Sequence, residues 1–338
     1  MTGREERPRR RRTWSAFGEI RRIPSEYEIV THDLNYTVRK GRSAALEANP
    51  SSPANLWILT YRDRSPLQAP EWNRFRDPDE LTYRKYVTLQ DDQETVVRGL
   101  LEEYSEAGHD AGFSPRWLSA LAALFTPTRR PGHALQLCHS YLGQMAPTSY
   151  VSNCAAFAAA DMLRRVSLVA YRTRELQRAH PNVGFGTRDR GAWETAPGWQ
   201  GARRALEQAL VAYDWGESFV AVNLVLRPTL DDILLRQLGE AARANGDDLT
   251  WLLLSNLDVD AERCRRWSTA LARYAVAQQP ANAQVIRRWV DRWTPRAESA
   301  AEGLAGMLES LPEAGRPALE TVTAARQARQ RMLAEASR

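Results

Sequence analysis

Two five-residue stretches of the chain have the spacing of metal-binding helix motifs but lack the ligands. They are Asp161-Met162-Leu163-Arg164-Arg165 and Asp260-Ala261-Glu262-Arg263-Cys264, and both keep Asp and Arg at D-x-x-R spacing. A helical bundle binds two metal ions through Glu-x-x-His on two helices, because one turn aims both side chains at one metal, and through single glutamates from two others. The two Glu-x-x-His slots hold Met162 with Arg165, and Ala261 with Cys264. Thioether, guanidinium and methyl groups are not iron ligands, and Cys264 alone could ligate but is one ligand where several are needed, so we predict no metal site here.

The histidines and cysteines do not supply a second set of ligands. Of the five histidines only His109 follows a glutamate at the required spacing, in Glu106-Ala-Gly-His109. One such motif is half of what a paired site needs, and Gly108 indicates a fraying helix end. The three cysteines have no metal-pair or redox-pair spacing, which favours small buried hydrophobes.

Two further carboxylates fall in apolar helical surroundings. Glu94 lies in DDQETVV and Glu217 in WGESFVAVNL, and both are candidates for inward-facing carboxylates. The alternative is a glutamate that pairs with a base or reaches solvent along the helix surface, and both interpretations remain open. No phosphate-binding loop or nucleophile elbow occurs, so no catalytic residue is predicted.

The elements that would position these residues are helices. Long segments with a helical apolar period follow one another from Asp77 onward, and strand signals are few. Asp77-Pro78 predicts a helix start, with the helix running to about 107, and Ser114-Pro115 predicts a shorter one. Residues 182–201 read as a loop rich in glycine and proline. The other predicted helices span about 131–145, 149–180, 202–244 with a kink at Pro228, 248–277, 282–310 and 317–335.

The first 77 residues differ in character and predict an extended arm. Seven of the eighteen prolines lie within the first 78 residues, and aromatic residues are spread irregularly along the same stretch. Such anchors suit a segment that inserts rings into pockets, either on its own body or on a partner, and both remain open. The candidates for contact with a partner are Trp14, Tyr27, Tyr36, Trp57, Tyr61 and Trp72.

The charge distribution argues against a nucleic-acid-binding protein. Residues 1–12 carry six arginines and two glutamates, which is +4 of the net charge of +5. A nucleic-acid surface needs cations spread over a folded face, whereas these sit on one tail that is expected to be disordered. No segment approaches the roughly 18 apolar residues of a membrane span, and no signal peptide is recognisable, so a cytoplasmic protein is expected.

Several stretches together resemble the β subunit of the hydroxylase of soluble di-iron monooxygenases, most closely the toluene, alkene and isoprene group. They include RTWSAFGEIRRIPSEYEIVTHDLNY, QMAPTSYVSNCAAFAAADMLRR, AYDWGESFVAVNLVL and DAERCRRWSTAL, and the motif F-x-D-P-x-x-L-x-Y-R-x-Y at 75–86 is the most specific. The resemblance covers about residues 12 to 300. It implies an all-α, ferritin-like bundle, related to the iron-bearing α subunit, that has lost its metal. The expected units are an arm (1–77), the ferritin-like domain (78–310) and a C-terminal helix (311–338).

The resemblance also implies the role of the chain. We expect a non-catalytic structural subunit without a cofactor, in a hydroxylase of two α, two β and two γ chains whose α subunit holds the di-iron centre. An effector protein, a Rieske-type ferredoxin and a reductase would complete a system that oxidises aromatic or alkene hydrocarbons with O2. Met162, Arg165, Ala261 and Cys264 would then be lost-ligand positions, with Glu94 and Glu217 as possible ligand remnants. The alternatives are a free-standing ferritin-like metal-binding oxidase and, from RPRRRR alone, a helical nucleic-acid-binding protein.

Overall fold

The computed structural model describes residues 22–32, 52–313 and 315–337, and regular structure in these ranges is helical. The α-helices are α1 (Glu26–Thr31), α2 (Pro53–Ile58), α3 (Tyr83–Glu106), α4 (Pro115–Ala120), α5 (Arg129–Met145), α6 (Ser149–Ala179), α7 (Asp189–Thr195), α8 (Pro197–Ala209), α9 (Trp215–Phe219), α10 (Arg227–Asp231), α11 (Leu238–Ala244), α12 (Asp248–Gln278), α13 (Asn282–Glu309) and α14 (Ala318–Ala336). The predicted all-α fold is confirmed.

Side-chain caps fix several helix starts where the sequence indicated them. Ser114 accepts a hydrogen bond from the backbone N–H of Trp117 at the start of α4, and Thr148 caps α6. Each cap satisfies a backbone N–H that has no partner within the helix, which stabilises a helix start by about 1 kcal/mol. The ends predicted for α5, α6, α12, α13 and α14 agree with the structure to within two residues.

The predicted helix start at Asp77 is wrong, because this residue closes a turn instead. Its carboxylate accepts hydrogen bonds from the backbone N–H groups of Asp79 and Leu81, at 3.1 and 3.2 Å. Glu80 has a φ of 45°, a left-handed conformation that cannot continue an α-helix. Helix α3 therefore begins at Tyr83, behind the cap of Thr82.

The predicted loop at 182–201 is also wrong in its second half, which contains α7 and the start of α8. Glycine in α8 serves close packing rather than a turn. A Cβ atom on Gly201 would lie 2.2 Å from the backbone oxygen of Ser299 in α13, and one on Gly303 would lie 2.5 Å from the oxygen of Gly198. Small residues let the backbones of α8 and α13 approach more closely than any larger side chain allows.

The predicted long helix at 202–244 is two helical segments. It breaks after α8, and Asp214 caps the second segment by accepting hydrogen bonds from the N–H groups of Gly216 and Glu217. The second segment runs from Trp215 to Ala244, and we call it the central segment. It passes through π-helical turns at Val220–Leu226 and Asp232–Gln237, on either side of Pro228. Pro228 lacks an N–H, and a wider turn beside it accommodates the break in the hydrogen-bond ladder.

The central segment lies in the middle of the bundle. It contacts α5 and α12, while α6 packs against both α5 and α12. Almost every residue from Trp215 to Leu235 is buried. Helices α8, α13 and α14 cover the other side of this segment. Within the described part of the chain, no helix is both long enough and apolar enough to cross a membrane.

Candidate functional site

The four positions in the two Glu-x-x-His slots lie in the interior of the bundle. Met162 and Arg165 on α6, and Ala261 and Cys264 on α12, are all buried. Burial raises the pKa of the Cys264 thiol, which keeps it in the neutral form, and its sulfur accepts a hydrogen bond from Asn223 at 3.5 Å. A neutral thiol is a poor metal ligand, because the thiolate is the form that binds.

Arg165 shares one buried carboxylate partner with a second arginine, Arg227 of the central segment. Asp231 accepts a hydrogen bond from Arg165 at 2.8 Å and another from Arg227 at 3.1 Å. All three side chains are buried. Burial opposes ionisation of Asp231, but the two guanidinium groups outweigh it and lower its pKa. The interior of the bundle therefore contains two permanent positive charges, those of Arg165 and Arg227, and both belong to this chain.

Arg227 also affects His139, a fully buried residue of α5. Burial and the positive charge of Arg227 lower the pKa of His139 to about 3, so the ring is neutral. Its Nδ1 lies 2.7 Å from the backbone oxygen of Leu135, which requires the proton on Nδ1. Sequence reasoning missed Asn223 and Arg227. The available signal was two polar residues four positions apart in the otherwise apolar run FVAVNLVLRP.

The aspartates of the two D-x-x-R frames have a structural task. Arg263 donates hydrogen bonds to Asp161 of α6 and to Asp260 of its own helix, the latter at 2.8 Å. Arg164 donates from α6 to Asp260 at 2.8 Å. The two frames thus cross-link α6 and α12, as expected for residues that hold helices together.

The same aspartates also hold α3 on the bundle. Tyr86 donates its hydroxyl to Asp161 at 2.8 Å, and Gln93 donates to Asp260 at 3.2 Å. Gln90 donates to both, at 3.1 and 3.0 Å. Burial and the neighbouring Asp260 carboxylate raise the pKa of Asp161 to about 7. The donors Tyr86 on α3 and Arg263 on α12 favour the charged carboxylate but only partly offset this effect.

Glu94 lies at the surface of the bundle and Glu217 is partly buried, and both pair with arginines. Glu94 accepts a hydrogen bond from Arg164 at 2.6 Å. Glu217 accepts from Arg292 at 2.9 Å and from the indole of Trp293 at 3.0 Å, both on α13. Pairing with arginine therefore describes both side chains. That they are remnants of metal ligands stays a prediction.

The Glu106–His109 pair does not converge on a common point. Glu106 is exposed at the end of α3, whereas His109 packs edge-on against Tyr104 and Phe113, with its Nε2 3.5 Å from a carboxylate oxygen of Asp247. In the three described ranges, no group of three or more His, Cys, Asp or Glu side chains is arranged to hold a metal ion.

Four aromatic residues of the arm contact this chain's own body. Tyr27 is buried against Tyr150, and its hydroxyl accepts a hydrogen bond from the N–H of Asp77 at 3.2 Å. The other contacts are Trp57 with Tyr61, Tyr141 and Tyr213, and Trp72 with Trp215 and Tyr274. Trp57, Tyr61 and Trp72 keep part of their surface exposed, so contact with a partner stays a prediction for them. Trp14 and Tyr36 lie outside the described residues.

Comparison with known proteins gives consistent matches along the chain. Residues 57–279 match the model of the methane/phenol/alkene hydroxylase family. The chain is 42% identical to the toluene-4-monooxygenase system hydroxylase component subunit beta of Ectopseudomonas mendocina, over 88% of this chain and 91% of that one. It is 24% identical to the propane 2-monooxygenase hydroxylase component small subunit of Gordonia sp. (strain TY-5), over 70% and 66% of the two chains.

A solved structure shares the fold over most of its length. It is a chain of toluene 4-monooxygenase with toluene bound in the resting active site, with a TM-score of 0.83 and 41% sequence identity. The likeness covers 89% of this chain and 99% of that chain.

Proposed function

Since this chain belongs to the methane/phenol/alkene hydroxylase family, we propose that it is a non-catalytic structural subunit of a multicomponent di-iron monooxygenase hydroxylase. Its partner, the iron-bearing α subunit, would hydroxylate or epoxidise aromatic or alkene hydrocarbons with O2. The observation that carries the proposal is the bundle centre. Met162, Ala261 and neutral Cys264 supply no carboxylate or imidazole at the slots.

The charges at the centre support the same conclusion. A pair of iron ions needs several carboxylates and two imidazoles converging from four helices. Here Arg165 and Arg227 already neutralise Asp231, and Arg263 and Arg164 occupy Asp161 and Asp260. An added dication would be repelled by buried guanidinium groups at low effective dielectric. The residues present do not fit a pair of iron ions.

The relatives support a wider assembly. The toluene relative is a subunit of a hydroxylase component within a larger system, and the propane relative is a small subunit. We therefore propose α and γ partners in an (αβγ)2 hydroxylase, served by an effector protein, a Rieske-type ferredoxin and a reductase. The di-iron centre belongs to the α subunit in this proposal.

The test is to purify the chain alone and together with the α and γ subunits, and to measure iron and hydrocarbon oxidation in both preparations. We expect substoichiometric iron, on the order of 0.1 per chain or less, and no oxidation from the isolated chain. The E106A/H109A double variant should assemble an active hydroxylase like the wild type. Two irons per isolated chain, lost in that variant, would instead identify a free-standing metal-binding oxidase.

A further inference from the structure

Helix α3 is packed far more sparsely than the other long helices. Only Tyr86 and Val97 are buried among its 24 residues, whereas α6 buries 17 of 31. In proteins most of the stability of a helix comes from packing one face against the rest of the molecule. A helix of this length with two buried side chains lacks most of that contribution from the described part of its chain.

The surface around α3 has a shape that suits another protein. A groove of about 580 Å³ runs between α3 and α12 beside Leu89 and Val259, and one of about 690 Å³ runs between α3 and α6 beside Leu101 and Tyr171. Helix α3 is a ridge between them. A partner helix seated in either groove would lie beside two helices of this chain, and packed helices usually have axes about 8–10 Å apart.

Apolar side chains are exposed on both sides of this ridge. Val87 is 45% exposed and Val96 is 55% exposed, on opposite flanks of α3. Tyr83, at the start of the helix, is 75% exposed. Val259 and Tyr171, which line the two grooves, are also more than half exposed. The two grooves thus offer apolar contact area on either side of a polar crest.

The ridge is also held in a fixed position. Tyr86, Gln90 and Gln93 attach its inner face to Asp161 and Asp260, through hydrogen bonds of 2.8 to 3.2 Å. These are the aspartates that the D-x-x-R frames retain although the ligand slots are filled. A helix that is pinned by buried polar contacts presents a preformed surface, which reduces the entropic cost of binding.

The area approaches that of a specific interface of standard size. A helix of 24 residues at 1.5 Å per residue is about 36 Å long. With flanking helices 8–10 Å away on either side, the surface is about 20 Å wide, or on the order of 700 Å². A specific interface of standard size buries about 800 Å² on each partner.

We propose that the outer face of α3, together with its two flanking grooves, is the surface on which the large, iron-bearing hydroxylase subunit docks. This inference rests on the proposed function. A different chain is favoured over a second copy of this one because the relatives are a subunit beta and a small subunit, which presuppose a larger companion. The retained aspartates then act as positioning residues for the docking helix.

The first test needs no substitution. Hydrogen–deuterium exchange is followed in the isolated chain and in the complete hydroxylase. We expect amides of residues 83–106 to exchange at least tenfold more slowly in the hydroxylase, while those of α14 change less. Equal exchange of α3 in both states would overturn the inference. The same result is expected if another part of this chain already covers the ridge, and it would overturn the inference in that case too.

The second test compares V87D/V96D with a control, L319D, which places a charge at an exposed leucine of α14 that is 76% exposed. Circular dichroism and thermal unfolding of the isolated variants establish that both fold. We expect the double variant to bind the large subunit at least 100-fold more weakly and L319D to bind like wild type. Unchanged binding of V87D/V96D, or loss of a homodimer of the isolated chain in that variant, would contradict the docking proposal.

The two proposals can fail separately. If the wild-type chain does not co-elute with the large subunit at all, the proposed function fails. If it co-elutes and α3 stays unprotected, only the position of the docking surface is wrong.

Discussion

The bundle centre around Asp231 and the ridge of α3 differ in the burial and the partners of their polar side chains. At the centre Asp231 is buried between two arginines of its own chain, and among the described residues Arg165 Nε and both Nη atoms of Arg227 have no hydrogen-bond partner. On the ridge, polar and apolar side chains are exposed over a 24-residue helix that packs little against the described part of its chain. The comparison supports the proposal that α3, rather than the charged interior, is where another protein binds.

The largest effect is expected from removing the central carboxylate. D231A would leave Arg165 and Arg227 buried without their shared counter-charge, and breaking a buried ion pair from one side costs about 3–5 kcal/mol. Urea unfolding of the isolated chain measures this loss. The matched control is E94A at the half-exposed partner of Arg164, where about 0–1 kcal/mol is expected. Similar losses in both variants would remove the contrast between centre and surface.

The next largest effect concerns packing within the bundle. G201A would place a Cβ atom 2.2 Å from the backbone oxygen of Ser299, so α8 and α13 would have to move apart. Overpacking of this kind costs about 1–3 kcal/mol. The thermal unfolding midpoint should fall in G201A and should not fall in G306A, since no atom lies within 4 Å of the position that a Cβ on Gly306 would occupy.

The neutral histidine at the centre predicts a pH dependence. The folded-state pKa of His139 is about 3, below its ordinary value of 6.5, so below pH 6.5 the unfolded state binds a proton that the folded state does not. The contribution of His139 to stability is therefore constant above pH 6.5 and declines as the pH falls from 6.5 towards 3, by about 1.4 kcal/mol per pH unit. Urea unfolding between pH 7 and 5 should show a shallower decline in H139Q than in wild type. The exposed-site control H133Q should keep the wild-type slope, and equal slopes in all three would refute the assignment.

The smallest effect is expected on the ridge. Nothing lies within 4 Å of a Cβ atom added at Gly99 in α3. Alanine in a helix interior is favoured over glycine by roughly 0.5–1 kcal/mol, so G99A should stabilise α3. Exchange of α3 amides in the isolated chain should slow accordingly, with no change in α12. Faster exchange in G99A would mean that the ridge is constrained in a way the structure does not explain.

Sequence reasoning recovered the helices because their caps are local. Ser114 and Thr148 act on residues two or three positions away, and such signals can be read from the chain alone. The start of α3 was missed because the left-handed φ of Glu80 is not indicated by its residue type. Gly198 and Gly201 of α8 were predicted to lie in a loop. The packing that requires glycine there involves α13, about 100 residues away in the sequence.

The candidate site was predicted only where its residues are close together in the sequence. The slots on α6 and α12 are visible as repeated five-residue frames, and the absence of glutamate and histidine from them can be read from the sequence. The role of Arg227 was missed because it depends on Asp231, Arg165 and His139 meeting from three different segments. The contacts of α3 with Asp161 and Asp260 likewise join residues separated by 71 to 170 positions.

The central claim is that this chain fills with its own side chains the place where a related bundle would hold metal. Anomalous diffraction from crystals of the complete hydroxylase, recorded on either side of the iron absorption edge, tests it directly. We expect iron peaks inside the large subunit and no anomalous iron signal at Met162, Arg227 or Cys264. An iron peak at those three side chains would contradict it.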